Sequence, residues 1–249
     1  MAERLAQIAA DLHIHTVASA CAEVEMIPPL IVGRAQRLGL DLIAITDHHC
    51  VDNVAAVRQA AEPFGIAVLA GMEVQSREEV HVICLFDRIE QAERWQELIW
   101  DHLPRLPNRE EFFGAQYVVD AAGDYIRTNE KLLQCSTDLS FDELVELAYR
   151  WGGLPIPAHV DRPRNSLFAN LGMVPQGVAL AGVEISRHTR PEQARSRFPG
   201  LVGLGMIQSG DAHRLDEIIN TMRLTVASRT VEEIHLALLG RGGRGITIG

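Results

Sequence analysis

Short apolar runs alternate with longer amphipathic stretches along most of the chain. Apolar runs of about four to eight residues are typical of buried strands, and the longer stretches repeat with the period of a helix. These runs predict seven strands, at residues 8–15, 42–46, 66–70, 80–86, 154–159, 178–185 and 202–208. Strands that alternate with helices favour βα units and a largely parallel sheet.

Residues that start and stop helices occur between these strands. Pro28 and Pro29 open a helix that stops at Gly39, in line with the preference for proline first and glycine last. Further helices are predicted near residues 53–64 and 90–102. The capping-box spacing, in which Ser or Thr is followed three residues later by Glu, occurs at Ser140 with Glu143, Thr189 with Glu192, and Thr230 with Glu233.

Residues 104–139 interrupt this alternation. Short stretches at 116–119 and 125–128 flank a turn-forming segment and predict a β-hairpin or small lid inserted between barrel units. Such an insertion would cover the mouth of a site or form an oligomer contact, and the sequence leaves both open. We predict one domain over residues 1–249 with an insertion at about 104–139, and a mobile tail after the glycines at 240–243.

The composition suits one large apolar core. The chain has 249 residues, of which 47% are apolar and 5% aromatic, so Leu, Val, Ile and Ala must fill the interior. The formal net charge of −10 argues against binding a nucleic-acid polymer over many phosphates. A small phosphorylated substrate stays compatible with that charge, because metal cations reverse the local field. The oligomeric state is left open.

The cysteines do not form a motif: Cys21, Cys50, Cys84 and Cys135 are scattered without CxxC spacing. So few cysteines in a domain of this size argue against a disulfide framework. The first residues lack a long apolar stretch, and no run reaches the roughly 18 apolar residues that a membrane span needs. We therefore expect a cytoplasmic protein that does not bind a membrane.

Six histidines and two acids lie where predicted strands end: His13, His15, His48, Glu73, His81, His159, Asp211 and His213. Alternate residues of a strand point to the same face, so His13 and His15 can contact one ion. Each motif alone has a plain alternative, such as a hydrogen-bonded core histidine for His81. For the segment 47–49 that contains His48, the alternative is a helix N-terminal turn with Asp47 as its cap. Together they predict a polynuclear metal site, because barrel enzymes place their chemistry at strand ends.

Five segments carry the resemblance to a known family: residues 11–16, 45–48, 71–73, 158–159 and 210–213. They resemble, in the same order and over nearly the whole chain, the motifs of the PHP (polymerase and histidinol phosphatase) superfamily. The resemblance implies an α/β fold, a distorted seven-stranded (β/α) barrel of the TIM-like PHP type. It also implies two or three divalent ions, and His and carboxylate ligands accept zinc, manganese and iron alike.

The resemblance also implies three ligand sets. The first is His13, His15, Glu73 and Asp211. The second shares Glu73 as a bridge and adds His81 and His159. The third takes His48, His213 and one further ligand from the loop after the first strand.

The third set is where the chain departs from the family pattern. Many members have a histidine at the position of Cys21. A thiolate is a competent ligand for zinc or iron, and Glu23 or Glu25 would substitute from the same loop. An uninvolved Cys21 and a missing third ion are also compatible with the sequence.

The function implied is a metal-dependent phosphoesterase that hydrolyses a small phosphorylated metabolite or nucleotide by a metal-bridging hydroxide. His48, His213 and Asp211 are the expected catalytic residues, with His48 or His213 serving as a ligand or as the proton donor to the leaving group. The expected substrate-binding residues are Arg162, Arg164, Arg187 and Arg214, since guanidinium groups suit phosphate oxygens. Arg162 is favoured because Pro163 stiffens its loop, although a solvated surface position is the plain alternative for each arginine.

Two other functions stay open. A 3′-end exonuclease would resemble the PHP modules of polymerases, although the acidic balance counts against it. A metal-stabilised regulatory domain without catalysis belongs to a different class, although a structural ion rarely needs so many ligands. Among the remaining histidines, His49 and His188 are weak candidates for substrate contact, whereas His102 and His235 are predicted to be structural.

Overall fold

A computed structural model describes residues 4–249. The strands are β1 (Ala6–Ile14), β2 (Leu42–Ile45), β3 (Ala67–Gln75), β4 (His81–Phe86), β5 (Tyr117–Val119), β6 (Tyr125–Thr128), β7 (Leu154–Pro157), β8 (Gly182–Ile185), β9 (Gly205–Gln208), β10 (Met222–Val226) and β11 (Gly245–Ile248). The α-helices are α1 (Pro28–Leu38), α2 (Val54–Ala61), α3 (Ile89–Asp101), α4 (Glu110–Phe113), α5 (Phe141–Arg150), α6 (Leu167–Asn170), α7 (Pro191–Arg197) and α8 (Val231–Leu238). All seven strands predicted from the apolar runs are present among these.

The main sheet is mixed, so the prediction of a largely parallel sheet is wrong. Its seven strands lie in the order β11-β10-β1-β2-β3-β4-β7. Among neighbouring strands, only β1 with β2 and β2 with β3 are parallel, and the other neighbouring pairs are antiparallel. For β3 and β4 the physical reason is connection length: a parallel crossover needs a dozen or more residues, and only residues 76–80 separate these strands.

The sheet curls into a half-barrel. A separate parallel pair, β8 with β9, packs with β8 against β7 and with β9 against β11. Beyond β9 the chain passes alongside the end of β1, where Ile14 pairs with Ala212 in a parallel bridge. This curling brings the segment after β9 beside the end of β1.

The two faces of the sheet pack into separate apolar layers. Ile43 and Val68 belong to the layer that packs against the outer helices, whereas Leu42, Ala44 and Leu69 belong to the layer on the concave side. This alternation is the period-two pattern of strands that are covered on both faces. The concave layer is completed by residues of β9, β10 and α8.

A register shift in β1 decides where its histidines point. Ile8 and Ala10 belong to the concave layer, but after the shift between Asp11 and Ile14 it is Ile14 that packs towards the outer helices. The alternation on β1 is thereby inverted, so the two histidines that flank Ile14 face the concave side. Such irregularities commonly re-aim side chains beside active sites.

The helix ends agree with most of the predicted caps. The helix α1 begins at Pro28 and ends before Gly39, whose φ of 69° is left-handed. Ser140 forms the predicted capping box with Glu143. The cap predicted at Thr189 is wrong, because α7 follows Arg190 and the Thr189 hydroxyl bonds the Asp161 carboxylate instead.

The chain beyond Gly243 is an ordered strand, so the prediction of a mobile tail is also wrong. The strand β11 pairs antiparallel with β10, and Ile246 packs against the concave apolar layer. The alternation of Ile246, Thr247 and Ile248 carries the strand signal, but it is too short to predict its distant partner. The predicted hairpin within residues 104–139 is present as β5 and β6. None of the helices within residues 4–249 is long and apolar enough to cross a membrane.

Candidate metal centre

The predicted ligands converge at one edge of the sheet. His13 and His15 lie at the end of β1, His48 follows β2 and Glu73 lies on β3. His81 begins β4, which is antiparallel to β3, so it reaches the same edge as Glu73. The remaining three, His159, Asp211 and His213, follow β7 and β9.

The Glu73 carboxylate is the centre of this cluster. Its Oε1 lies 2.8 Å from His81 Nδ1 and 3.1 Å from His159 Nε2. Its Oε2 lies 3.0 Å from His48 Nδ1 and 3.4 Å from His15 Nε2. Because the carboxylate is buried and contacts histidines from four different segments, it is placed to bridge neighbouring cations.

The first implied ligand set forms a compact group. The Nε2 atoms of His13 and His15 are 3.1 Å apart, and Asp211 Oδ1 lies 3.3 Å from each of them. With Glu73, these residues offer ligand atoms that all lie within 4.8 Å of one another. All four residues are buried.

The other predicted ligands group differently from the implied sets. His48 forms one group with Glu73 and His81, and a second group with His15 and His213. His159 lies outside the groups found among residues 4–249, although its ring stacks on that of His13 with centroids 5.9 Å apart. The structure therefore places His48 between two groups, rather than in the third set alone.

The donor atoms fit divalent cations. The His13 Nδ1 bonds a Glu184 oxygen at 2.9 Å, and the His15 Nδ1 bonds Ser19 Oγ at 2.9 Å. The Ser19 hydroxyl donates in turn to Asp47, so it accepts from His15. In their neutral forms both histidines would direct Nε2 lone pairs at each other, an arrangement that a cation between them would relieve.

Unsatisfied buried atoms support the same fit. Among the buried polar atoms without a hydrogen bond in the described chain are Glu73 Oε2, Asp211 Oδ1 and His159 Nδ1. A buried polar atom without a partner is costly, and metal coordination is one way to satisfy it. The mixture of imidazole and carboxylate ligands suits zinc, manganese or iron.

The two carboxylates of the cluster are held in the charged form. Burial alone would raise the pKa of Glu73, but the charges of His81, His13 and His48 hold it well below its usual range. Burial likewise opposes ionisation of Asp211, and His13 and His15 nevertheless keep its pKa well below the ordinary value. Both carboxylates are therefore negatively charged at neutral pH, as ligands of a cation should be.

Three of the clustered histidines have pKa values shifted in opposite directions. Burial lowers the pKa of His48 to about 4, and burial with the nearby charge of His15 lowers the pKa of His213 to about 3. Burial also acts on His15, but the nearby carboxylates of Asp211 and Glu73 raise its pKa to about 9. His48 and His213 are thus ready to act as neutral ligands, whereas a cation must displace a proton from His15.

The backbone is strained at two of the ligands. His159 has a φ of 28° and Asp211 a φ of 44°, in the left-handed region that residues other than glycine seldom adopt. Such conformations persist where the surrounding structure enforces them and are common at functional sites. The strain is consistent with side chains that are aimed by their neighbours.

Three residues of the site were not predicted as such. Glu184 bonds His13, Ser19 bonds His15, and Asp47 accepts hydrogen bonds from Thr16 and Ser19. The interpretation of Asp47 as a helix cap is wrong, because α2 begins only at Val54. The signal for Glu184 was available: it is a lone carboxylate in a buried apolar strand.

The remaining histidines have structural contacts or lie on the surface. His49 is buried, with Nδ1 2.7 Å from the Leu133 carbonyl oxygen and Nε2 accepting from the Gln75 amide at 2.9 Å. Both ring nitrogens are thus occupied, which leaves none for substrate. His188 is exposed. His102 bonds Asp138, and the ring of His235 lies against that of Tyr149.

Two adjoining cavities open at the cluster. One, of about 310 Å³, is lined by ligands including Glu73 and His81, and by Arg162 and Arg164. The other, of about 430 Å³, is lined by residues including Arg187, Arg214 and Cys21. Arg162, Asp211 and His213 line both cavities, and the Arg162 guanidinium contacts the Asp211 carboxylate at their boundary.

The other three predicted arginines differ in exposure and in contacts. Arg187 is half-buried and held by the Gly210 carbonyl oxygen and by Glu217. Arg164 and Arg214 are exposed, and Arg214 lies 3.7 Å from both Glu23 and Glu217.

The candidates for a further ligand in the loop after β1 lie nearby without joining a group. Cys21 is exposed and lines the larger cavity together with Glu23 and His213. No group of ligand atoms found among the described residues includes Cys21, Glu23 or Glu25. Completion of a third ion site by one of them stays a prediction.

The chain matches the PHP domain family over residues 11–167. Because this match covers more than half of the chain, the protein belongs to the PHP domain family, and the resemblance predicted from its motifs is confirmed. No curated protein sequence matches the chain.

Solved structures share the fold at low sequence identity. The lesion-specific endonuclease EndoQ from Pyrococcus furiosus has 19% identity and a TM-score of 0.69, over 97% of this chain and 58% of EndoQ. A protein from Bifidobacterium adolescentis, provisionally assigned as a metal-dependent phosphoesterase, has 19% identity and a TM-score of 0.58, over 94% and 96% of the two chains.

An amidohydrolase from Chromobacterium violaceum, solved with bound sulfate and no metal, is a third such structure. It has 19% identity and a TM-score of 0.56, over 85% of this chain and 89% of that chain. At these identities the likeness concerns the fold, and this chain spans little more than half the length of EndoQ.

Proposed function

We propose that the protein is a metal-dependent hydrolase of phosphoester bonds, acting on a small phosphorylated metabolite or nucleotide. The observation that carries this proposal is the buried carboxylate of Glu73, ringed by histidines at the wall of a cavity that also contains arginines. Membership of the PHP domain family supports it. Divalent ions held by this cluster would supply Lewis-acid polarisation of phosphate and an acidified water as nucleophile.

The proposed ligands are those predicted from the sequence: His13, His15, His48, Glu73, His81, His159, Asp211 and His213, with Cys21 as an additional candidate. His48 and His213 are also candidates to donate a proton to the leaving group, because they are less deeply buried than His13 and both border the smaller cavity. Asp211 would orient His15 and Arg162 through its two oxygens.

The arginines are proposed to bind the phosphate. Arg162 stands at the boundary of the two cavities, so a small rotation of its side chain would carry the guanidinium from Asp211 to a bound anion. Guanidinium groups bind phosphate oxygens through paired hydrogen bonds. Arg164, Arg187 and Arg214 surround this position and would add further donors.

The finer architecture belongs to the same proposal. We infer that five strands of the half-barrel and the β8–β9 pair act together as a distorted seven-stranded barrel, in a single domain with an insertion at about 104–139. Its strands would be β1, β2, β3, β4, β7, β8 and β9. The hairpin of this insertion is anchored on the loop after β1, where the Tyr117 amide donates to the Val17 carbonyl oxygen. A lid at the mouth of the cavities is the role that this anchoring favours.

A phosphoester panel tests the proposed activity. The purified protein would be stripped of metal, reloaded separately with zinc, manganese or iron, and assayed on phosphomonoesters, mononucleotides and cyclic phosphodiesters. We expect hydrolysis of at least one class with at least one metal, and its loss in Glu73→Gln. A matched control is Glu79→Gln, an exposed residue in the turn before β4. No hydrolysis with any metal would favour a metal-stabilised regulatory domain.

A second candidate is a nuclease. The specific observation in its favour is the fold likeness to EndoQ, a structure of which is described with a 27-mer duplex bearing an abasic lesion at the active site. The net charge of −10 counts against extended binding of a polymer. Duplexes with an abasic site and 3′-labelled single strands would be tested beside mononucleotides. Cleavage of polymers alone would replace the small-substrate proposal with this one.

A further inference from the structure

Glu184 is a buried carboxylate that connects two segments of the metal centre. It lies on β8 and is 1% exposed. One oxygen, Oε2, accepts hydrogen bonds from the His13 ring Nδ1 at 2.9 Å and from the His159 backbone amide at 3.0 Å. The other oxygen, Oε1, is buried without a hydrogen-bond partner among the described residues.

The bond to His13 determines which ring nitrogen presents a lone pair. A carboxylate oxygen only accepts, so the Nδ1 of His13 carries the hydrogen. The neutral ring then directs its Nε2 lone pair towards His15, Glu73 and Asp211, which lie 3.1, 3.4 and 3.3 Å away. Glu184 therefore selects the tautomer of His13 that can bind a cation.

The bond to His159 acts on the backbone. His159 has a φ of 28°, and its strained conformation is held on one side by Glu184 Oε2. The next amide, of Val160, donates to the Glu184 carbonyl oxygen at 2.9 Å. Glu184 thus fixes the turn from which the His159 ring reaches Glu73 at 3.1 Å.

We propose that Glu184 is a positioning residue of the metal centre, which holds the His13 ring and the His159 turn in ligand geometry from one carboxylate oxygen. This role rests on the proposed function only in assuming that the cluster binds cations. A carboxylate behind a histidine ligand also makes the imidazole a stronger donor, and loss of such partners typically costs about 10- to 100-fold in metal affinity.

Two substitutions separate geometry from charge. In Glu184→Gln, the amide oxygen can take the position of Oε2 and accept both hydrogen bonds, so the His13 tautomer is kept while the charge is lost. In Glu184→Ala, both hydrogen bonds are lost together with the charge. The matched control is Glu233→Gln, which removes a buried carboxylate that bonds the Ala227 amide away from the cluster.

The experiment measures zinc and manganese affinity by competition with a coloured chelator, without any substrate. We expect affinity to fall about 10- to 100-fold in Glu184→Ala, to fall less in Glu184→Gln, and to stay unchanged in Glu233→Gln. Ring-nitrogen NMR of the zinc-loaded proteins, with the His13 signal identified from His13→Gln, should show the Nδ1–H tautomer in wild type and Glu184→Gln. Thermal unfolding of the same samples reports folding.

The outcomes are decisive for Glu184 and separable from the phosphoesterase assay. Affinity within twofold of wild type in folded Glu184→Ala would overturn the positioning role, whatever the panel shows. If Glu184→Ala does not fold, the result for Glu184→Gln decides. The positioning role would be overturned if Glu184→Gln bound metal as tightly as wild type and the His13 ring of wild type showed a mixture of tautomers. A protein that binds metal tightly through Glu184 but hydrolyses no phosphoester would refute the proposed activity alone.

Discussion

At the scale of single residues, the centre combines charged carboxylates with histidines whose protonation differs. Glu73 is the residue on which most of these contacts depend, since both of its oxygens face imidazole nitrogens. Removing one of its two charged oxygens would leave several buried histidines without an anionic partner, a costly arrangement.

Glu73→Gln is therefore expected to lose metal and activity together. Because loss of an outer partner alone costs about 10- to 100-fold, loss of this central carboxylate should weaken metal binding by more than about 100-fold. Metal content after dialysis, measured by mass spectrometry, checks this. Retention of wild-type metal content by Glu73→Gln would show that the cluster does not bind ions as proposed.

The raised pKa of His15 predicts a pH dependence of the metal-free protein. Its folded pKa of about 9 lies above the ordinary value of about 6.5. Protonated His15 therefore stabilises the folded state fully below about pH 6.5, and this contribution is lost as pH rises through about 9. We expect the free energy of unfolding to fall by a few kcal/mol between pH 7 and pH 9, since one pKa unit corresponds to about 1.4 kcal/mol.

Urea unfolding of chelator-treated protein at pH 7 and pH 9 measures this loss. The lowered pKa values of His48 and His213, about 4 and 3, place their titration outside this range. His15→Gln is the control and should show a smaller change. An unfolding midpoint that rises towards pH 9 in the wild type would contradict the prediction.

At the scale of elements, the close packing of β3 against β2 determines how deeply Glu73 is buried. A Cβ atom on Gly71 would lie 2.7 Å from the Thr46 methyl group and 2.9 Å from the Ile45 carbonyl oxygen. Both distances are shorter than real Cβ contacts allow, so β3 has to move if Gly71 gains a side chain.

Gly71→Ala should destabilise the protein by about 1–3 kcal/mol, the usual cost of overpacking, and weaken metal binding through Glu73. Gly33→Ala is the matched control: its Cβ would meet only the end of the Arg37 side chain at 3.8 Å in α1, where alanine favours the helix by about 1 kcal/mol. Denaturant unfolding of both variants gives the comparison. Equal stability of Gly71→Ala and wild type would show that β3 and β2 can separate at no cost.

The Asn53 side chain makes two of the hydrogen bonds that tie the hairpin to the rest of the fold. The Asn53 amide group donates to the Tyr117 carbonyl oxygen at 3.0 Å, and its oxygen accepts from the Val119 amide at 2.9 Å. We expect Asn53→Ala to raise hydrogen exchange at Val119 without melting the sheet. Asn220→Ala, which loses a bond to the Leu38 carbonyl oxygen instead, is the control. Unchanged protection at Val119 would mean that other contacts hold the hairpin.

At the scale of the whole molecule, ligands from β1, β3, β4 and the segments after β2, β7 and β9 meet only when the sheet is curled. Cations bound by these residues should therefore stabilise the entire fold. At a free metal concentration of 100 times Kd, one site adds about 2.7 kcal/mol to the free energy of unfolding. Calorimetry with and without metal checks this, and an unfolding temperature insensitive to zinc, manganese and iron would refute it.

Sequence patterns by themselves determined most elements of this protein and the residues that converge around Glu73. The seven apolar runs became strands, because apolar period and length are local properties. The motif residues predicted the PHP family, and the convergence of Glu73 with five histidines agrees with them.

Only the tertiary structure decided the direction of the strands, the inverted alternation of β1, the pairing of β10 with β11 and the two hydrogen bonds of Glu184. Each of these depends on groups far apart in the chain, such as Glu184 and His13. Hydrophobic period records which face of an element is buried, but it carries no information about which distant residue will lie opposite. That choice is made by the packing of the whole sheet.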